Sequence, residues 1–167
     1  MHVVKHEPVR VLFVCLGNIC RSPAAQAVME HLVREQGLEA NLEVDSAGLL
    51  DSHKGEDADP RIRIAGTRRG YRFEHHSRPV TPQDFDRFQY IVAMDSQVLA
   101  KLRSMSNGGR PSPPRLSLIM QHAATAESPE VPDPYWGNAA DFENVMDLVE
   151  AGCAGLLENL RKTHGLA

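Results

Sequence analysis

Cysteine is scarce in this chain, three in 167 residues. The number is odd, and two of the three fall in one tight loop, so a secreted disulfide framework is not expected and the reducing cytoplasm is the expected setting. No second Cys/His pair at ligand spacing accompanies Cys15 and Cys20, which argues against a structural zinc site; neither a metal nor a cofactor is expected. There is no basic block, and the net charge is −4. Nothing electrostatic therefore points to nucleic acid or an anionic membrane surface. No apolar run approaches membrane-spanning length, and Met1 to Arg10 lacks an apolar core of signal-peptide length, so no membrane association is expected.

What is present fits one globular domain. At 42% hydrophobic and 24% charged residues, the composition supports a full core and argues against long disorder. Residues 1–167 read as a single domain without repeat or linker, with 1–7 expected as a loose N-terminal extension. Strand-like runs alternate with helical patterns, the signature of an α/β, three-layer fold with a parallel sheet covered on both faces. Strands are expected at about Val9–Val14, Leu42–Ala47, Tyr90–Met94 and Leu116–Met120. Helices are expected over Pro23–Gln36 with Gly37 as its cap, from Asp59-Pro60 to about Arg69, from the Thr81–Asp84 start, over Ser96–Met105, and over Ala139–Arg161 with apolar positions 142, 145, 149, 156 and 160. A short extended piece is expected around Tyr71–Phe73. The polar, proline-rich stretch from Gln121 to Gly137 is long for a compact domain, and loops of that length are usually functional.

The most informative segment is Val11-Leu-Phe-Val-Cys15-Leu-Gly-Asn-Ile-Cys20-Arg21-Ser22-Pro23. An apolar strand runs into a loop from Cys15 to Arg21, and Ser22 and Pro23 then read as N-cap and first position of a helix. The loop N–H groups of Leu16, Gly17, Asn18, Ile19 and Cys20 lead into that helix N-terminus, which makes an anion nest with a thiol inside it. Helix dipole, loop N–H groups and Arg21 all stabilise a thiolate. Gly17 is expected to supply a positive φ. Arg21 can grip two oxygens of a tetrahedral oxyanion through its planar fork, with Asn18 and Ser22 adding side-chain hydrogen bonds, Ser22 to the sulfur itself. Taken alone, Cys15 reads as a buried strand-end cysteine; the Cys-x5-Arg-Ser frame between strand and helix favours a nucleophile. Such chemistry needs a proton donor for the leaving oxygen. Asp133, between Pro132 and Pro134, is the candidate, although Asp-Pro is also a common solvated turn dipeptide. Tyr135 is expected as a wall of the site; Trp136 reads equally as a stacking surface or as core.

The frame from Cys15 to Pro23 resembles the signature of the low-molecular-weight protein tyrosine phosphatases. Asp45-Ser-Ala-Gly48, Asp59-Pro-Arg61, Tyr90-Ile-Val-Ala-Met-Asp95 and Asp133-Pro-Tyr135 recur in that family's order, so the resemblance covers nearly the whole chain. It implies a four-stranded, parallel, twisted sheet flanked by helices, with a phosphate-binding loop after the first strand. It also implies metal-free hydrolysis of phosphotyrosine through a phosphocysteine, with Cys15 as nucleophile, Arg21 binding phosphate and Asp133 as general acid and then base. The partner is a phosphotyrosine protein, with a cognate tyrosine kinase as a further expectation; the expected state is a monomer or weak dimer. Ser46, His75 and Asp95 match supporting positions, His75 and Asp95 in a network with acidic neighbours behind the loop. Cys20 matches a second cysteine that in many members forms a reversible disulfide, and is equally read as a small packing residue; Cys153 reads as core.

The sequence departs from the family at Gln26, where relatives often carry glutamate, at Val98, in place of an asparagine, and at Ser52, where a large aromatic often walls the cleft. The cleft is expected to be more open at Ser52 unless Leu49 or Leu50 covers it, and the second layer of hydrogen bonds to be rearranged. Arsenate reduction on the same fold needs relayed thiols, and Asp84 to Asp133 contains no cysteine. Phosphoarginine hydrolysis goes with a smaller polar residue where Ile19 stands. A non-catalytic oxyanion-binding module has no use for both Cys15 and Asp133.

Overall fold

A computed structural model describes residues 7–106, 108–125 and 128–166. Residues 1–6 of the expected extension lie outside them; Glu7 is exposed and pairs with Arg10 at 3.5 Å. The strands are β1 (Val9–Cys15), β2 (Leu42–Gly48), β3 (Tyr90–Ala93) and β4 (Arg115–Leu118). They form one parallel sheet in the order β2-β1-β3-β4. The helices are α1 (Arg21–Glu35), α2 (Pro60–Thr67), α3 (Asp84–Arg87), α4 (Ser96–Ser106) and α5 (Ala139–His164).

The period of two along β1 sorts its side chains between two cores. Val11, Phe13 and Cys15 enter the core shared with α1, α2 and α5, while Leu12 and Val14 enter the opposite core with residues of α3 and α4. Burial on both faces is why β1 reads as a continuous apolar run rather than an alternating one. The α5 residues Phe142, Val145, Val149, Leu156 and Leu160 are all buried, as their spacing predicts, and Cys153 is core. Gly37, at φ 68°, ends α1 in a Schellman turn: its N–H reaches Arg34 O (3.2 Å) and the Leu38 N–H reaches Val33 O (2.9 Å).

Several boundaries differ from expectation. α1 begins at Arg21, so Ser22 lies inside its first turn and is not the N-cap; the cap position is Cys20, which makes no side-chain capping bond. The Ser22 hydroxyl is spent on the loop that follows β1 instead. α2 ends at Thr67, short of Arg69. No strand forms at Tyr71–Phe73. α3 begins at Asp84, at the end of the expected Thr81–Asp84 start, where the Asp84 carboxylate turns back to accept the Thr81 N–H (2.8 Å) as in a capped helix start. The last strand stops at Leu118, and Ile119–His122 is a 3-10 turn packed on α5.

β1 is flanked by β2 and β3, so the chain reverses its direction of winding at the carboxyl end of β1. Open α/β sheets bind ligands at that crevice, and Cys15 lies there.

Candidate active site

The loop after β1 is built by a few buried polar side chains. Asn18, fully buried, carries the loop's positive φ, at 56°. The expectation for Gly17 is thereby corrected. Asparagine tolerates this region, and four bonds hold Asn18 there. Its Nδ2 donates to Ser22 Oγ (2.8 Å) and Ser46 Oγ (3.0 Å), its Oδ1 accepts the Arg78 N–H (3.0 Å), and its carbonyl accepts from His75 Nε2 (3.0 Å). A Cβ on Gly17 would lie 3.3 Å from the His53 ring, a tight contact to which the ring would have to yield by a few tenths of an ångström. At the end of β2, Gly48 sits against the same loop. A Cβ on it would come within 2.9 Å of Leu16 O and 3.0 Å of Asn18 N.

Cys15 Sγ is buried at the floor of the loop. The Ser22 hydroxyl lies 3.0 Å from it and the Asn18 N–H donates to it at 3.3 Å. Asn18 Nδ2 already donates into Ser22 Oγ, and of the two acceptors in reach of the Ser22 proton the sulfur, at 3.0 Å, is nearer than the Ala47 carbonyl at 3.5 Å. With no side chain capping α1, the N–H groups of its first turn are left for an anion.

Arg21 reaches across the end of the sheet. Its Nη1 donates to Asp95 Oδ2 (2.6 Å) and to the Val131 carbonyl (3.0 Å). Nη1 is thereby fully used, and the Nε–Nη2 edge is left for a bidentate ligand. Although burial opposes it, the charges of Cys15 and Asp95 hold the guanidinium above its ordinary range. Asp95 also accepts the Val98 N–H (2.8 Å), so it caps α4 while it fixes Arg21. Val98 is buried in the core on the α4 face.

Asp133 is half exposed at the rim, its Oδ2 3.9 Å from Arg21 Nη2. Its Oδ1 accepts the Tyr135 N–H (3.1 Å) in a local turn. The Val131 N–H donates to Met94 O (2.9 Å), so the long loop is pinned at both faces of Val131 before it reaches Asp133. An open cleft of about 230 Å³ lies above the sulfur, lined by Cys15, Leu16, Gly17, Ile19, Cys20, Arg21, Leu50, Ser52, His53, Asp133, Tyr135 and Trp136. Asn18, Ser22, Ser46, His75 and Asp95 are not among the residues that line it.

The supporting network differs from the one expected. His75 and Asp95 do not share it: Asp95 serves Arg21, on the other side of the loop. His75 contacts no carboxylate among its hydrogen-bond partners. It meets the Asn18 carbonyl and, through Nδ1 at 3.3 Å, Ser46 Oγ. Burial holds the imidazole below its ordinary range, opposed by its bond to Asn18. Gln26 takes the place beside it, with Oε1 accepting from Ser46 Oγ (2.6 Å) and Nε2 donating to Glu30 (2.7 Å). Ser46 has one proton, so it serves either Gln26 or His75 Nδ1. Glu30 is raised from its ordinary range by burial.

Trp136 is 93% exposed, which removes the core reading; it meets the Tyr135 ring edge-on at 4.8 Å. Of the two leucines near Ser52, Leu50 lines the cleft and Leu49 packs into the core on the α4 face. Burial pushes the Cys20 thiol up, and all three cysteines are free. No cluster of three or more metal-ligating side chains occurs among the described residues, and no described helix is long and apolar enough to cross a membrane. Sequence reasoning named Leu50 as a cover beside Ser52 but passed over His53 and Arg78: His53 sits on a loop whose path depends on its packing over Gly17, and Arg78 carries no motif.

The family model described as low molecular weight phosphotyrosine protein phosphatase matches residues 10–165. The chain is 40% identical over 154 residues to a low molecular weight protein-tyrosine-phosphatase of Streptomyces coelicolor, covering 92% of this chain and 94% of that one. It is 38% identical over 148 residues to the human low molecular weight phosphotyrosine protein phosphatase, covering 89% and 93%. The crystal structure of a protein tyrosine phosphatase from Entamoeba histolytica superposes with a TM-score of 0.88 at 38% identity, over 93% of this chain and 99% of that one.

Proposed function

The chain belongs to the low molecular weight phosphotyrosine protein phosphatase family, hydrolases that need no metal, and on that premise we propose that Cys15, Arg21 and Asp133 carry out its reaction. The Cys15 thiolate attacks phosphorus; the P–S bond forms as the P–O bond to the leaving group breaks. Arg21, through its free edge, and the loop N–H groups of residues 16–22 hold the three equatorial oxygens as charge redistributes over them. Asp133, at the mouth of the cleft, gives its proton to the leaving oxygen. In the second step water attacks the phosphocysteine, Asp133 takes the water's proton, and the P–S bond breaks to release phosphate and the thiolate. Ser22 stabilises the sulfur as it departs.

The observation that carries this reading is the sulfur's position. Cys15 Sγ has a hydroxyl at 3.0 Å and a backbone N–H at 3.3 Å, and it opens into a cleft shared by a buried arginine and an aspartate. The ring of the phosphotyrosine fits between Tyr135 and the apolar side chains of Leu16, Ile19 and Leu50. That apolar lining favours an aryl ester over a phosphoguanidinium, which carries charge and donors that these walls leave unmet. The protein partner is a phosphotyrosine substrate produced by a tyrosine kinase, and a reducing cytoplasm suits the free thiol. Turnover of p-nitrophenyl phosphate tests the assignment. Cys15→Ser abolishes it, and Asp133→Ala slows the first chemical step by roughly 10²–10⁴-fold. Wild-type inactivity under reducing conditions overturns the reading.

A further inference from the structure

The residues assigned above leave out one charged pair that lies between the nucleophile loop and the acid loop. Asp59 caps α2, accepting the Arg61 N–H at 2.8 Å. Its own N–H donates to the carbonyl of Ile19, inside the phosphate loop, at 2.8 Å. The same carboxylate grips the Arg61 guanidinium bidentately along its Nε–Nη2 edge, Nε to Oδ1 at 3.1 Å and Nη2 to Oδ2 at 2.9 Å. The remaining nitrogen, Nη1, donates to the carbonyl of Tyr135 at 2.9 Å. Tyr135 in turn gives its N–H to Asp133 Oδ1 at 3.1 Å. The guanidinium also lies over the Tyr135 ring (5.3 Å to the centroid) and the buried Phe142 ring (4.6 Å).

The connections therefore run from the phosphate loop through Asp59 and Arg61 to Tyr135 and the Asp133 carboxylate. We propose that Arg61, held by Asp59, is a positioning residue that sets Asp133 relative to the phosphate loop through the backbone of Tyr135. This role of Arg61 rests on Asp133 being the acid. Three directions of the planar fork are used at once, which a lysine ammonium on its flexible stem cannot reproduce. The geometry matters because proton transfer depends on placement, and misplacement by about 1 Å costs on the order of 10²-fold.

A group that acts through the acid reveals itself by leaving-group dependence. Phenyl phosphate expels a poor leaving group and needs the proton; dinitrophenyl phosphate expels a good one and needs it far less. With kcat/KM as the readout of the first step, Arg61→Ala is expected to lose roughly 10- to 30-fold on phenyl phosphate. The loss on dinitrophenyl phosphate is expected to stay within about threefold on the same grounds. Arg61→Lys shows the same pattern at reduced size. Asp59→Asn keeps the capping oxygen, drops the ion pair and gives the same pattern, which guards against a folding defect of the alanine variant. In an Asp133→Ala background, adding Arg61→Ala causes no further loss. Equal losses on the two esters, or losses that multiply in the double variant, overturn the proposal. Should Asp133→Ala itself lack leaving-group dependence, the acid assignment fails; should Asp133→Ala show it and Arg61→Ala not, only the role of Arg61 fails.

Discussion

Replacing Ser22 with alanine separates the two chemical steps, because the Ser22 hydroxyl meets the sulfur, the Asn18 side chain and, at 3.5 Å, the Ala47 carbonyl. The hydroxyl is fully buried and lies 3.0 Å from Cys15 Sγ. Its lone pair is taken by Asn18 Nδ2 at 2.8 Å, so its proton is available to a thiolate. A hydrogen bond to a charged partner contributes about 1.5–3 kcal/mol; sulfur is a weak acceptor, so the lower end applies. At about 1.36 kcal/mol per factor of ten, the loss is roughly tenfold. It falls on the step in which the sulfur leaves, the hydrolysis of the phosphocysteine. Asn18 Nδ2 keeps Ser46 Oγ at 3.0 Å, so the stability cost is about 1 kcal/mol and the variant folds. Rapid mixing with p-nitrophenyl phosphate is the assay. A burst of p-nitrophenolate close to the enzyme concentration is expected, followed by a steady rate about tenfold below wild type. A kcat within about twofold of wild type, without a burst, refutes the reasoning that the hydroxyl stabilises the departing sulfur.

Gly48→Ala is expected to cut kcat/KM by about 10²-fold while the fold survives, since the added Cβ meets Leu16 O and the Asn18 backbone at 2.9–3.0 Å and the phosphate loop must shift; phosphate inhibition and thermal unfolding measured together separate the two effects. Ser52→Trp is expected to lower KM for aryl phosphates about fivefold, the equivalent of about 1 kcal/mol of aromatic contact, while KM for alkyl phosphates stays unchanged. Burial lowers His122 from 6.5, and Asn159 Nδ2 lies against its Nδ1 at 3.2 Å. A depressed folded value means that the neutral ring's stability is complete above pH 6.5 and is lost as pH falls through the folded value. Denaturant titrations should therefore show a flatter acid side for His122→Gln than for wild type.

Much of the architecture was legible because it depends on local patterns. Burial of both faces of β1 makes its apolar run, the Asp59-Pro60 dipeptide starts α2, Gly37 ends α1, and the five apolar positions named on α5 point one way. The boundaries that moved did so through contacts with distant residues or unanticipated local bonds. Ser22 looks like an N-cap by residue type, but the Cys15 sulfur, seven residues earlier, lies 3.0 Å from its hydroxyl, and α1 starts at Arg21. Leu116–Met120 is apolar apart from Ser117, and nothing in that run says that packing on α5 winds its end into a 3-10 turn. In the loop, glycine was the natural choice for a positive φ. Asn18 takes it because four hydrogen bonds, two of them from His75 and Arg78, compensate the strain.

The sequence by itself determined the kind of site: a cysteine and an arginine spaced around a strand-to-helix turn, and an aspartate confined by two prolines. Those features follow from short-range chemistry, in which backbone N–H groups, caps and fixed φ angles act within a few residues. Only the tertiary structure decided the pairings. Strand order brings β3 beside β1, and so puts Asp95 on Arg21 rather than on His75. The return of the chain from the 3-10 turn to α5 carries Val131 onto the same guanidinium and Asp133 to the rim. Such pairings join residues about 60 to 110 positions apart, and which atoms meet is set by sheet register and helix packing, to which no single stretch of sequence has access.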